Sequence, residues 1–216
     1  MNITSVSSFL GKAVLFLLIG FPLCSSAFIG DKAAGKAKST ACVACHNADG
    51  NSTNPLWPKI AGQHESYLFK QLQEFRKGPD GGRNQPVMLG IIGGMSQQDF
   101  ADLAAYFAAE KMSSGETPAA TAVLGERLYR GGNLATGVSA CSACHGPGGM
   151  GNTAAGFPRL AGQHSAYIVD QLKKFRTEER HNDVGAMMQD IAKRMTDAEM
   201  QAVGDFIQGL QASAAQ

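Results

Sequence analysis

The sequence predicts an all-α protein that is built from two tandem domains of similar size. Over residues 57–76, ten of twenty positions are identical to those of residues 157–176. Apolar residues in both copies recur at helical spacing, and no segment alternates as a β-strand does. A helical pattern that repeats at an offset of about 100 residues predicts two similar helical domains, one after the other.

Residues 1–27 have the features of a secretory signal peptide. Lys12 is the only charged residue there, an apolar run follows it, and Ser25-Ser26-Ala27 supplies the small residues that signal peptidases prefer. The apolar run is short for a membrane span, which needs about 20 residues. We therefore expect cleavage after Ala27, which would also remove Cys24, the odd fifth cysteine.

The rest of the chain is expected to divide into domain 1, residues 28–112, and domain 2, residues 121–216. Residues 113–120 are small and polar with one proline, which is typical of a linker. We expect a short helix before the cysteines of each domain, starting at about Asp31 and at about Thr121. Domains of this size bury little apolar surface on their own, so an apolar cofactor would help to stabilise them.

One five-residue motif occurs once in each domain. Its copies are Cys42-Val43-Ala44-Cys45-His46 and Cys141-Ser142-Ala143-Cys144-His145. The pattern C-x-x-C-H is the attachment signature of c-type haem, in which two thiols bond the porphyrin and the histidine ligates the iron. The sequence therefore predicts two covalently bound haem c groups, attached through Cys42, Cys45, Cys141 and Cys144, with His46 and His145 as iron ligands.

Other uses of the cysteines fit less well. A zinc site would need a second pair about 12 to 20 residues away, and the pairs here are 99 apart, although distant pairs could meet in space. A thioredoxin-like redox pair needs a βαβ context that this chain lacks. A disulfide framework would not require a histidine after each second cysteine.

Two further helices are expected in each domain. One follows His64 and His164, which should lie near the surface, and carries an apolar stripe through Tyr67, Leu68, Leu72 and Phe75 or through Tyr167, Ile168, Leu172 and Phe175. The other opens with a capping box, Ser96 to Asp99 in domain 1 and Thr196 to Glu199 in domain 2.

Methionines at matched positions supply candidates for the sixth iron ligand. Met88 and Met188 are expected in irregular segments that can reach over a haem, so they are the predicted ligands. Met95 and Met195 directly precede the helix caps, a position that suits a hydrophobic staple. The remaining rivals are Met187, which adjoins Met188, and the histidines His64, His164 and His181.

Groups that orient the iron ligands or bond the haem can also be predicted. A metal-bound histidine commonly donates its Nδ1–H to a backbone carbonyl, and the carbonyls of Pro58 and Pro158 are the candidates here. Four side chains could either bond the haem propionates or pack on a helix face, and the sequence leaves both open. These are Tyr67, Tyr167, Arg76 and Arg176.

Together these motifs resemble the cytochrome c4 family, periplasmic dihaem proteins made of two class I cytochrome c domains. The resemblance covers the chain after residue 27 and rests on the C-x-x-C-H motif and four further segments. These are Pro58-Lys59-Ile60-Ala61-Gly62-Gln63, Leu103-Ala104-Ala105-Tyr106-Phe107, Leu128-Tyr129-Arg130-Gly131-Gly132 and Pro158-Arg159-Leu160-Ala161-Gly162-Gln163-His164. It implies His/Met ligation at each iron, with Met88 and Met188 in the methionine role, and domains that face each other.

The resemblance also implies a function, electron transfer from the cytochrome bc1 complex or another donor to terminal oxidases, with no catalysis of its own. Loose association with the membrane would suit such partners. The alternatives are a cytochrome subunit of a flavoprotein dehydrogenase and a dihaem peroxidase. Without the signal the chain holds 18 basic and 18 acidic residues, which gives no case for nucleic-acid binding.

The two haems are expected to differ. Gly35 precedes Cys42 by seven residues, whereas the corresponding Gly125 precedes Cys141 by sixteen. The additional residues around 131–137 predict a flexible loop beside the second attachment site. Such a loop would change solvent access to that haem and hence its potential.

Overall fold

The structure is a computed structural model that describes residues 29–211, so the expected signal peptide lies outside the described residues. The described chain is helical and contains no β-strand, only isolated bridges. The helices of domain 1 are α1 Lys32–Lys38, α2 Thr40–His46, α3 Glu65–Arg76, α4 Pro86–Ile92 and α5 Gln97–Ala108. Those of domain 2 are α6 Ala119–Gly131, α7 Ser142–His145, α8 Ser165–Arg176, α9 Met187–Lys193 and α10 Asp197–Gly209, and 3-10 turns cover Gly78–Asp80 and Val184–Ala186. The all-α prediction is confirmed.

Side-chain caps explain where the last helix of each domain begins. The Ser96 hydroxyl accepts from Asp99 N at 3.1 Å, and the Asp99 carboxylate accepts from Ser96 N at 2.8 Å. Thr196 and Glu199 form the same reciprocal pair, at 3.2 and 2.8 Å. Both predicted capping boxes are therefore present at α5 and α10.

A close helix crossing organises each domain, and a glycine permits it. α1 crosses α5 where Gly35 meets the Asp102 carbonyl, and a Cβ on Gly35 would lie 2.0 Å from that oxygen. α6 crosses α10 in the same way, where a Cβ on Gly125 would lie 2.2 Å from the Ala202 carbonyl. The correspondence of Gly35 and Gly125 expected from the sequence is confirmed by these matched contacts.

The segment between Gly125 and the second cysteine motif is ordered by hydrogen bonds. α6 extends to Gly131, and Asn133 and Val138 then exchange two backbone hydrogen bonds of 2.8 and 3.0 Å. The Val138 side chain is buried in the domain core, and the Asn133 amide donates to Glu199 at 2.8 Å. The sequence predicted a flexible loop over 131–137. The structure instead has a closed turn there, which is anchored on α10.

The two domains pack directly against each other, and the intervening segment lies on both. Ser113 N donates to Asn51 of domain 1 at 2.8 Å, while Gly115 N donates to the Gln208 carbonyl of domain 2 at 3.0 Å. His64 and His164 cap α3 and α8 and contact the opposite domain, through Thr153 and Ser52. Among residues 29–211, no helix is both long and apolar enough to cross a membrane.

Candidate haem sites

The motif histidines have the orientation that an iron ligand requires. His46 Nδ1 lies 2.8 Å from the Pro58 carbonyl oxygen, and His145 Nδ1 lies 2.9 Å from that of Pro158. A carbonyl can only accept, so each Nδ1 carries the proton and donates it. Each Nε2 is therefore left with its lone pair, as metal ligation needs. The predicted roles of both proline carbonyls match this geometry.

Helix geometry brings the attachment cysteines and the histidine of each motif to one place. His46 ends α2 and His145 ends α7, and both side chains are buried. Burial lowers the pKa of both imidazoles, against a smaller opposing effect of the proline carbonyls. The rings are therefore neutral at neutral pH, which is the form that binds a metal ion.

A large apolar cavity joins the two motifs. Its volume is about 990 Å³, and it is bordered by both cysteine pairs, both motif histidines and the aromatic rings of Phe75 and Phe175. This volume is at the upper end of the ~300–1,000 Å³ that ligand pockets usually have. One continuous cavity across the domain interface fits two large flat cofactors that face each other.

The candidate sixth ligands differ in how they border this cavity. Met88 borders it in domain 1, whereas Met95 does not and packs against the core cluster that contains Leu103 and Phe107. In domain 2, Met187, Met188 and Met195 all border it.

Burial separates the three methionines of domain 2. Met195 is a buried core residue, and Met187 is 40% exposed. Met188 is half-buried, as Met88 is, and occupies the corresponding position. None of the histidine rivals His64, His164 and His181 borders the cavity.

Met88 and Met188 lie in helices and not in irregular segments, which corrects one expectation. Pro86 occupies the first turn of α4, where its missing N–H costs no hydrogen bond. α9 begins at Met187, and the Asp183 carboxylate accepts from Met188 N at 2.7 Å. Each methionine is thus held within the first turn of a short helix beside the cavity.

Arg83 and Arg180 are cavity residues that the sequence did not reveal. Both are buried, at 8% and 6% exposure, and each guanidinium stacks on a phenylalanine ring, at 4.5 and 4.4 Å from the ring centroid. Arg83 donates to the Tyr167 hydroxyl, and Arg180 donates to the Tyr67 hydroxyl at 2.8 Å. The two arginines therefore cross the interface symmetrically, each bonding the tyrosine of the other domain.

Further amides hold these guanidiniums in the cavity wall. Arg83 donates to Gln71 at 2.7 Å, and Arg180 donates to Gln171 at 2.7 Å. Within the described part of the chain neither arginine forms an ion pair with a carboxylate. Buried cations normally have a counter-charge. Two haems would bring one, because their propionates are anionic, so the residues present fit the group.

Arg76 and Arg176 have a different role from the one that the sequence left open for them. Arg76 donates to the Met95 carbonyl at 3.2 Å and stacks on Phe100. Arg176 donates to the Met195 carbonyl at 3.4 Å and pairs with Asp197 at 2.7 Å. Neither borders the cavity. The packing alternative is correct for both arginines, whereas Tyr67 and Tyr167 do border the cavity.

The two cysteine pairs do not converge on a common metal site. None of the four cysteines forms a disulfide, and all four are partly exposed. Across residues 29–211, no group of three or more His, Cys, Asp or Glu side chains is arranged to hold a metal ion. The zinc alternative, in which distant pairs meet in space, is thus not supported by this arrangement.

Comparison with known proteins agrees with the geometry. A protein-family model described as Cytochrome c matches residues 32–109 and again residues 122–211. Cytochrome c4 of Pseudomonas aeruginosa is 45% identical over 203 residues, which cover 93% of this chain and 100% of that protein. A thiosulfate dehydrogenase electron acceptor of Thiomonas intermedia is 39% identical over 180 residues, 81% of each chain.

A solved structure has the same two-domain arrangement. The crystal structure of reduced recombinant cytochrome c4 from Pseudomonas stutzeri superposes with a TM-score of 0.82 at 44% sequence identity. The match covers 84% of this chain and 100% of that one. Both the fold of each domain and their tandem organisation are therefore shared.

Proposed function

Because this chain belongs to the cytochrome c4 family and is a dihaem electron carrier, we propose that it relays electrons in the periplasm between a bc1-type donor and a terminal oxidase. Two covalently bound haem c groups supply one iron in each domain, and each iron gains or loses a single electron. The observation that carries the proposal is the continuous cavity, which the residues of both attachment motifs border. Loose association with the membrane surface belongs to the same proposal.

The residues that would hold the haems follow from the two motifs and the cavity. Thioether bonds would form at Cys42, Cys45, Cys141 and Cys144. His46 and His145 would ligate the irons, and Met88 and Met188 would complete the ligation. The buried guanidiniums of Arg83 and Arg180 would balance the propionate charge at the interface.

The residues around each site favour electron transfer over catalysis. A neutral histidine held by a carbonyl keeps its orientation when the iron changes charge. Apolar walls limit water access and so reduce the reorganisation that accompanies the charge change. If His46 and Met88 ligate one iron and His145 and Met188 the other, neither iron would have a site free for a substrate, and we propose that the protein is not an enzyme.

A second candidate function is supported by one of the comparisons. The similarity to a thiosulfate dehydrogenase electron acceptor suggests that the donor is a sulfur-compound dehydrogenase. In both cases the protein would still carry electrons singly on its two haems.

The test measures reduction of the purified dihaem protein by two donors. Stopped-flow absorbance would compare a bc1 complex with quinol and a thiosulfate dehydrogenase with thiosulfate, followed by reoxidation with a terminal oxidase. We expect full reduction of both haems by the bc1 complex and rapid reoxidation. Rapid reduction by the dehydrogenase alone would favour the second candidate.

Carbon monoxide separates a carrier from a peroxidase. Six-coordinate His/Met irons should leave the spectrum of the reduced protein unchanged under carbon monoxide. A rapid, stoichiometric spectral change at either haem would show an open position and would contradict the carrier proposal. The untreated reduced protein serves as the reference.

A further inference from the structure

Gln63 and Gln163 form a reciprocal contact across the domain interface. They occupy matched positions, each directly before the residue that caps α3 or α8. Both side chains are buried, at 6% and 4% exposure, and both reach into the opposite domain. The sequence repeat shows that the two residues correspond but does not indicate any function for them.

Each carboxamide pairs with both backbone groups of one residue in the other domain. Gln163 Oε1 accepts from Lys59 N at 2.9 Å, and Gln163 Nε2 donates to Lys59 O at 2.8 Å. Gln63 does the same with Arg159, at 2.9 Å for both bonds. The donor and acceptor pattern of the partner backbone determines the amide orientation, since the reverse would place two donors together.

The paired backbone belongs to the peptide that holds the motif histidine. Lys59 N–H and the Pro58 carbonyl are the two ends of one peptide unit, and that carbonyl accepts from His46 Nδ1 at 2.8 Å. In domain 2, Arg159 N–H and the Pro158 carbonyl form the corresponding peptide. A chain of hydrogen bonds therefore runs from each histidine, through one peptide, to a glutamine of the other domain.

We propose that Gln163 and Gln63 are positioning residues for the iron-ligating histidine of the opposite domain, and that through it they set the reduction potential of the opposite haem. The inference rests on the proposed ligation by His46 and His145. It adds a connection between the domains that runs through the protein backbone and does not require contact between the haems.

The physical effect has a defined direction. An acceptor at Lys59 N–H polarises the peptide and makes the Pro58 oxygen a stronger acceptor, because hydrogen bonds in a chain strengthen one another. A stronger bond draws the Nδ1 proton away and makes the imidazole a more basic ligand. A more basic ligand stabilises ferric iron. Loss of Gln163 should therefore raise the potential of the haem attached in domain 1.

The two residues whose backbone the glutamines bond are not equally buried, so the two glutamine substitutions should have unequal effects on the reduction potentials. Lys59 is 6% exposed, and its Nζ donates to Gly162 O at 3.0 Å and Ser113 O at 2.8 Å, both beyond domain 1. Arg159 is more exposed, and its Nε donates to Ala161 within its own domain. Water can replace a lost partner more easily at Arg159. Removing Gln163 should thus act more strongly than removing Gln63.

The experiment compares Gln163→Met with Gln63→Met in the intact dihaem protein. NMR of the reduced, diamagnetic protein would follow the Nδ1–H resonances of His46 and His145, and a spectroelectrochemical titration would follow both potentials. We expect Gln163→Met to move the His46 resonance upfield and Gln63→Met to move that of His145. The reduction equilibrium of the affected haem should shift about three- to tenfold towards ferrous iron, where tenfold corresponds to about 59 mV.

The decisive result is a crossed pattern, in which each substitution moves the histidine resonance of the opposite domain. A contact with only a structural role would not produce it. If each variant moves the resonance of its own domain, moves both equally or moves neither, the inference is wrong. Both variants should retain two low-spin haems. In that case a missing crossed pattern contradicts this inference alone, whereas loss of low-spin ligation in the unsubstituted protein would contradict the proposed function.

A conservative variant keeps the test decisive if Gln163→Met does not fold. Gln163→Glu keeps an oxygen acceptor for Lys59 N–H, while its second oxygen faces Lys59 O and can donate to it only when the carboxyl group is protonated. We expect its His46 Nδ1–H resonance to stay at or downfield of the unsubstituted position. An upfield movement in Gln163→Glu would show that the acceptor at Lys59 N–H is not what strengthens the histidine bond.

Discussion

Domain 1 and domain 2 share one scaffold but stabilise it with different groups. The loop after each cysteine motif accepts a tyrosine hydroxyl, from Tyr106 to Ala48 O at 2.8 Å in domain 1 and from Tyr129 to Gly146 O at 2.7 Å in domain 2. Tyr106 belongs to α5, whereas Tyr129 belongs to α6, on the other side of the helix crossing. The hydrogen bond is retained although its donor comes from a different helix.

The helix crossings differ in the same way. In domain 1, Lys38 forms ion pairs of 2.6 Å with Asp99 and Asp102. In domain 2, the residue that corresponds to Asp102 is Ala202. Its helix α10 instead carries Asp205, which accepts hydrogen bonds from Thr121 of α6 and Ser165 of α8 at 2.9 and 2.5 Å. The comparison teaches that both domains keep the same helix crossing and a tyrosine hydrogen bond to the loop after the cysteine motif, while the side chains that supply the other contacts differ.

The largest expected change in reduction potential comes from substituting the proposed sixth ligand of each iron. Met88→His and Met188→His should each keep a low-spin haem and lower its potential, because a nitrogen ligand favours ferric iron more than a thioether does. The drop should be on the order of 0.1 V within the ~0.8 V that axial ligands span. Spectroelectrochemical titration of each variant measures it.

Matched controls assign the ligand in each domain. Met95→Leu in domain 1 and Met187→Leu in domain 2 should leave both potentials close to those of the unsubstituted protein. If Met187→Leu instead produces a high-spin haem, the two domains use different methionines and their ligation is not symmetric. The same result at Met95 would overturn the assignment of Met88.

Substitution of the glycine at the helix crossing should destabilise the two domains equally. Gly35→Ala and Gly125→Ala each place a Cβ within 2.2 Å of a backbone oxygen, so the helices must separate. We expect a loss of about 1–3 kcal/mol or more in the free energy of unfolding. Thermal and denaturant unfolding of the haem-containing protein measure it.

Gly131→Ala provides the control for these glycines. Gly131 ends α6, and a Cβ there would meet no atom within 4 Å. This variant should be neutral or should gain about 0.5–1 kcal/mol. A change of less than ~0.5 kcal/mol for Gly35→Ala or Gly125→Ala would show that the crossing adjusts without cost.

The smallest expected effect is a loss of stability of domain 1 at acid pH. A hydrogen bond from Lys38 holds the pKa of Asp99 at about 2, and bonds from Asp31 N and Lys38 lower that of Asp102. Both pKa values lie below the usual ~3.9 of an unfolded chain. Their stabilisation is therefore complete above about pH 4 and is lost as the pH falls towards 2.

Lys38→Met should remove this dependence. The variant should be less stable than the unsubstituted protein at pH 7, and the difference should shrink between pH 4 and 2. Lys32→Met is the control, because Lys32 lies in the same helix and forms no ion pair within residues 29–211. A stability difference between Lys38→Met and the unsubstituted protein that stays constant down to pH 2 would refute the role of these carboxylates.

Much of the fold and part of the site could be predicted from local sequence. The capping boxes at Ser96 and Thr196 depend on residues three apart, and the C-x-x-C-H motifs are contiguous. The Pro58 and Pro158 carbonyls were expected because they follow the motif histidines at nearly equal spacing. The helical setting of Met88 was missed, although Pro86 at the start of α4 was a usable signal.

The sequence by itself determined the two domains, the haem attachment sites and the helices that carry them, because those depend on neighbouring residues and on an internal repeat. Only the tertiary structure brought Arg83 to Tyr167 and Gln63 to the Arg159 backbone. Arg83 and Arg180 are offset by 97 residues and not by 100, so the repeat did not align them. Contacts between residues so far apart depend on how two folded surfaces dock, and no local pattern in the chain encodes that geometry.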